Sequence, residues 1–132
     1  MKFLILLLFF SSGLAAQTVT GTLERWHKVT LTFNGPNVSE TATPNPFLDY
    51  RLQVDFTHTN SGKTYRIPGY FAACGNAAEN GCTSGDQWRV HFAPDRPGAW
   101  TRSAPFTQGA DVAVAGGGTP VAPINGTTGT LT

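Results

Sequence analysis

Apolar and polar residues alternate with period two along three stretches of the chain. Val29, Leu31 and Phe33 alternate with Thr30 and Thr32. Tyr50, Leu52, Val54 and Phe56 alternate with Arg51, Gln53 and Asp55, and Trp88, Val90 and Phe92 with Arg89 and His91. Successive side chains of a strand point to opposite faces, so each stretch predicts a strand with one face on a core and one in water. Weaker patterns predict strands over 19–25, 63–67 and 99–103, and a further one over 111–115. No stretch after the first 16 residues reads as a helix, because Gly, Pro and Asn interrupt it too often.

Turn chemistry separates these stretches. Asn34-Gly35-Pro36-Asn37 is expected to end one strand, and Asn60-Ser61-Gly62-Lys63 to form a hairpin tip. Pro94-Asp95-Arg96-Pro97-Gly98 joins the Trp88 strand to the Trp100 strand. The excursion between Ile67 and Gln87 is too long for a hairpin, so it is either a loop at the sandwich end or a crossover between sheets. The pattern predicts an all-β fold, an immunoglobulin- or fibronectin-like β-sandwich of about seven to eight strands. Its core is expected to hold Leu31, Phe33, Leu52, Val54, Phe56, Trp88, Val90 and Phe92. After Phe106 the aromatics stop, and Gly116-Gly117-Gly118 introduces a Pro- and Gly-rich stretch. Residues 107–132 therefore read as weakly structured, with a last strand that begins near Thr130 and is cut short.

The first 16 residues stand apart. One positive charge, an apolar run from Phe3 to Phe10 and a small-residue exit through Ala15 and Ala16 make a secretory signal peptide. That run is shorter than the ~20 residues that span a bilayer, so no membrane association is expected after cleavage. Residues 17–132 are then one domain, secreted to the periplasm or the exterior. Without Lys2, eight basic residues balance eight acidic ones, which leaves no electrostatic footprint for nucleic acid. An oxidising destination makes a disulfide the expected state of Cys74 and Cys82. Two cysteines and three scattered histidines form no metal-ligand spacing, so no metal or other cofactor is expected.

Nor does catalytic chemistry emerge, and no catalytic residue is assigned. A glycosidase needs two carboxylates facing each other across a cleft. Asp49 and Asp55 sit on the wet side of a strand or at its start, and Asp95 lies in a turn. There is no Gly-x-Ser-x-Gly elbow. Among the tryptophans, Trp88 and Trp100 read as core, whereas Trp26 breaks the phase of the strand that follows it. Trp26 and Tyr70 are the candidate contacts for a neighbouring domain or a glycan. Asn37-Val38-Ser39 and Asn125-Gly126-Thr127 are glycosylation sequons.

Five blocks in order resemble a known family: Phe33-Asn34-Gly35-Pro36, Asn45-Pro46-Phe47-Leu48-Asp49, Val54-Asp55-Phe56, Tyr65-Arg66-Ile67-Pro68-Gly69-Tyr70-Phe71, and Trp88-Arg89-Val90-His91-Phe92-Ala93-Pro94-Asp95, closed by Gly98 and Trp100. They resemble the immunoglobulin-like domain of unknown function at the N-terminus of secreted bacterial glycoside hydrolases, where a (β/α)8 barrel follows, labelled apiosidase-like or endoglucanase, with a collagen-binding-type domain at the far end. The resemblance implies a non-catalytic accessory module whose partner is a downstream catalytic domain, with polysaccharide as a further partner. The alternative is a standalone carbohydrate-binding or adhesive β-sandwich. Since that family's catalytic carboxylates lie in the barrel, none carries over. Relatives carry Asp or Ala at the positions of Cys74 and Cys82, so the resemblance implies that the disulfide is a local addition.

Overall fold

The computed structural model describes residues 17–132, and the predicted signal peptide lies outside them. In chain order the strands are β1 (Gln17–Thr20), β2 (Val29–Ser39), β3 (Tyr50–His58), β4 (Thr64–Pro68), β5 (Tyr70–Ala73), β6 (Ser84–Phe92), β7 (Trp100–Ala104), β8 (Phe106–Gln108), β9 (Thr119–Pro120) and β10 (Thr127–Leu131). Two single helical turns, α1 (Ala77–Asn80) and α2 (Val112–Ala115), interrupt them. One sheet runs β1-β2-β6-β5, and the other runs β10-β7-β3-β8-β9 with β4 on the far edge of β3. All pairs are antiparallel. The chain is an all-β sandwich.

β7 and β8 act as one strand along β3, broken at Pro105, which has no N–H to give the ladder. Its carbonyl still accepts from Gln53 N–H at 3.0 Å. The inner faces follow the alternation read from the sequence, and all eight expected core residues are at most 3% exposed. Phe56 and Phe92 stack across the two sheets with centroids 4.1 Å apart. Trp88 meets Phe106, and Phe92 meets Trp100, each at 4.9 Å.

Five sequence expectations are corrected. Asn34-Gly35-Pro36-Asn37 does not end β2, which continues to Ser39 through a register shift between Asn34 and Val38. The shift leaves Pro36 C=O facing Trp88 Nε1–H, which donates to it at 3.3 Å. Only glycine fits at position 35, where a β-carbon would lie 2.6 Å from Ile124 Cδ1 and 2.8 Å from Trp88 Cδ1. The first strand is Gln17–Thr20 rather than 19–25, and the chain from Gly21 to Lys28 is a loop. The helix-free expectation also fails, since both α1 and α2 form.

α2 replaces the strand expected over 111–115. A strand would put Val112 and Val114 on one face, whereas the single turn buries Val112 and leaves Val114 83% exposed. Ala113 N–H donates to Leu48 C=O at 3.0 Å, which ties the turn to the start of β3. Finally, residues 107–132 carry more structure than their composition suggests. β10 pairs with all five residues of β7, and Ile124 and Leu131 enter the core. Two well-placed apolar residues and a ladder to a distant strand order a segment whose own content is Gly and Pro.

The excursion after Ile67 is the crossover. β4 belongs to the second sheet and β5 to the first, where Tyr70–Ala73 pairs with β6. The hairpin tip at 60–63 forms, closed by His58 N–H donating to Lys63 C=O and Gly62 N–H to His58 C=O, both at 2.8 Å.

Candidate interaction surface

Trp26 lies in the loop between β1 and β2, at a left-handed φ of 66°. Its N–H donates to Pro94 C=O at 2.8 Å, which fixes the indole against the 93–95 turn. The ring remains 64% exposed, and the Arg25 guanidinium lies 5.6 Å from its centroid. With Tyr65, Ile67, His91, Phe92 and Asp95 it lines a groove of about 260 Å³ along β4.

Asp95 forms the polar end of that groove. Its carboxylate accepts from Tyr65 Oη–H at 2.7 Å and from Arg96 Nε and Nη2 at 3.0 and 2.9 Å, with Lys63 Nζ at 3.5 Å. The Arg96 bonds, then the Tyr65 bond, hold this carboxyl far below the usual carboxylate range.

Tyr70, the other sequence candidate, stands on β5, 43% exposed. Its hydroxyl lies 2.9 Å from His91 Nε2, and His91 Nδ1 lies 2.9 Å from Thr30 Oγ1. Because His91 also lines the Trp26 groove, the fold brings Trp26 and Tyr70 to two sides of one imidazole. Desolvation lowers the His91 pKa, and the charges of Lys28 and Arg89 lower it further. In the neutral ring one nitrogen donates and the other accepts, and either hydroxyl can play the complementary part.

Beyond Tyr70 the apolar surface continues through residues the sequence reading did not select. Phe47 and Leu48 are 53% and 48% exposed. Phe47 sits 6.0 Å edge-on from Phe71 and shares a cavity with Tyr70, Pro46 and Ala113. Leu48 is bonded through its carbonyl to α2, next to Val114. Asp49 builds this corner by accepting from Asn45 N–H at 2.8 Å and Asp111 N–H at 3.1 Å, bonds that lower its pKa. Leu48, Phe47, Tyr70, His91 and Trp26 thus form one band from an end of the sandwich to the β4 edge. The available signal was Phe47-Leu48 in a Pro-flanked turn, two large apolar residues outside any strand alternation.

The remaining chemistry-bearing residues serve structure. Asp55 and Arg66 form a two-bond pair across β3 and β4, each bond 2.7 Å. Cys74 and Cys82 form a disulfide that closes the loop carrying α1. Asn80 Oδ1 accepts from Cys82 N–H within that loop at 3.1 Å. Among the described residues, no group of three His, Cys, Asp or Glu is gathered as for a metal ion. No described helix is long and apolar enough to cross a membrane.

Residues 22–107 match the family described as "Domain of unknown function (DUF5060)". The fold is similar to that of a solved structure, the "putative glycoside hydrolase from Bacteroides vulgatus ATCC 8482", with a TM-score of 0.51 and 21% identity. The match covers 80% of this chain and 14% of that one. At that identity the likeness is one of fold. No curated protein matches the chain.

Proposed function

The chain belongs to the DUF5060 domain family, and from that premise we propose that it is a non-catalytic accessory module of a secreted glycoside hydrolase, packing on and stabilising a catalytic barrel. One observation carries the reading. A similar fold occupies 14% of a far longer chain described as a "putative glycoside hydrolase". A small fold recurring inside a much longer chain of that description is suited to support chemistry done elsewhere. The band from Leu48 to Trp26 supports it too, because an apolar strip with a polar rim suits a domain contact. Tyr70 and Trp26 are its aromatic anchors. Secretion is part of the proposal, and the Cys74–Cys82 disulfide is compatible with it.

The test is to compare the neighbouring catalytic region alone with the same region linked to residues 17–132. The linked form should melt at a higher temperature, and Leu48→Asp or Tyr70→Asp should abolish the gain. Equal melting temperatures reject the reading. A second reading, a carbohydrate-binding module, is favoured by exposed Trp26 beside a carboxylate, since a sugar ring can stack on such an indole. Binding of residues 17–132 to a glycan array, lost in Trp26→Ala, would select it.

A further inference from the structure

Residues 17–132 are neutral in sum, yet the fold sorts their charges between the two ends of the sandwich. Across the sheets Tyr50 of β3 meets Trp88 of β6, and Phe56 meets Phe92, so the two strands run the same way. Acids collect where these strands start. Asp49 stands there and accepts from Asp111 N–H. Asp86 lies near the start of β6, and Glu40 N–H donates to Thr83 C=O just before that strand. Arg51 is the base beside them. Bases collect where the same strands finish. Lys63 accepts from His58 N–H at the end of β3, and Arg96 follows the end of β6. Lys28 precedes Val29, which pairs with Phe92, and Arg25 precedes Trp26, which is tied to Pro94. Among the described residues, these four basic side chains share their end with two acidic ones, Glu24 and Asp95.

The excess gathers around the Trp26 groove. Lys63 Nζ lies 4.8 Å from the Tyr65 ring centroid and 3.5 Å from Asp95. Lys63 and Arg96 therefore share one carboxylate, which leaves a positive charge over. The Arg25 guanidinium stands 5.6 Å from the Trp26 ring, and Lys28 is near enough to His91 to lower its pKa. Among the described residues, neither Arg25 nor Lys28 has a carboxylate within salt-bridge reach, and both side chains are exposed. Glu24, the other acid at this end, lies 3.7 Å from His27.

An exposed indole offers an apolar face to the C–H side of a sugar ring, and the groups around it meet what that ring carries. Here those groups are mostly cations, and a guanidinium is complementary to a carboxylate. The local field also draws an anionic chain toward this end of a neutral molecule. A single-stranded nucleic acid fits less well. It stacks successive bases on several aromatic rings and brings a phosphate with each, whereas this groove has one exposed indole and a small surplus of charge. We propose that the Trp26 groove binds a chain of uronic acid residues, one ring on the indole and its carboxylate on Arg25, with Lys28, Lys63 and Arg96 around it. The inference rests on the second reading above, sugar binding at Trp26, and adds to it the charge of the sugar.

The test follows the Trp26 indole N–H resonance of ¹⁵N-labelled residues 17–132 during titration. The probes are trimers of galacturonic and of mannuronic acid, the same trimers as methyl esters, and a thymidine oligonucleotide. At low salt an acid trimer should shift the resonance at roughly tenfold lower concentration than its ester. Added sodium chloride should shrink that difference. The double substitution Arg25→Gln, Lys28→Gln should erase it and leave the melting temperature unchanged, since both side chains are exposed. By calorimetry, Trp26→Ala should abolish binding of acid and ester alike. Equal affinity for acid and ester overturns the inference and leaves the second reading standing. No response to any trimer also overturns it, and the glycan array then decides the second reading by itself. Tighter binding of the oligonucleotide than of either acid overturns sugar as the occupant.

Discussion

His91 shows how one residue's surroundings set a measurable property. Its ring bridges Tyr70 and Thr30, and burial lowers its folded-state pKa below the ordinary 6.5. The unfolded chain therefore takes up this proton at a higher pH than the folded chain. Stability from this group is present above about pH 6.5 and is lost as the pH falls from there through the folded-state pKa. His91→Gln keeps a polar side chain without a titrating ring, so its melting temperature should fall less than that of the wild type between pH 7.5 and 5. Parallel pH curves for the two proteins would refute the assignment. Phe56 and Phe92 make the corresponding case in the core. Each is at most 3% exposed and each stacks on the other across the sheets. Truncating either to alanine should cost about 3–5 kcal/mol in urea unfolding. A loss below about 1 kcal/mol would mean the interface between the sheets closes without them.

At the scale of elements, the disulfide and the β4 edge hold the two least regular parts of the sandwich. The loop between Cys74 and Cys82 holds mostly small side chains, and α1 contains no buried residue. Loop-closure entropy assigns the bridge about 2.5 kcal/mol. The double substitution Cys74→Ser, Cys82→Ser should lower unfolding free energy by that order while leaving the Trp88 fluorescence environment intact. A loss of cooperative unfolding would show instead that the loop is needed to build the first sheet. The Asp55–Arg66 pair fastens β4 to β3 at an exposed edge. Its carboxyl is held below the ordinary range, first by the Arg66 hydrogen bonds. Exposed pairs contribute about 0.2–1 kcal/mol, so Arg66→Met should shift stability by less than the core truncations do.

For the whole molecule, three of the described aspartates are committed to structural partners. Asp49 holds two backbone N–H groups, Asp55 holds Arg66, and Asp95 holds Tyr65 and Arg96. Purified residues 17–132 should therefore hydrolyse no aryl glycoside. Turnover that survives repurification and disappears on changing one of these aspartates to asparagine would refute the accessory reading.

The three strong strands, the sandwich and its eight-residue core were determined by sequence alone, because period-two burial is written directly in neighbouring residues. The exposure of Trp26 was legible for the same reason, as a break in that phase. The disulfide was legible from cysteine count and the predicted destination of the chain. Tertiary structure decided the rest. Asn34–Asn37 became a bulge because Trp88, more than fifty residues away, needed an acceptor at Pro36. The segment 112–115 became a helical turn because Leu48 C=O took its N–H. Residues 107–132 gained order from a ladder to β7. Tyr70, His91 and Trp26 came together only when β5 and the 93–95 turn folded onto β6. Arg102 and Gly129 became neighbours only because β10 lies beside β7. Each of these depends on a partner distant in sequence, and local pattern carries no information about which distant group will accept a given hydrogen bond.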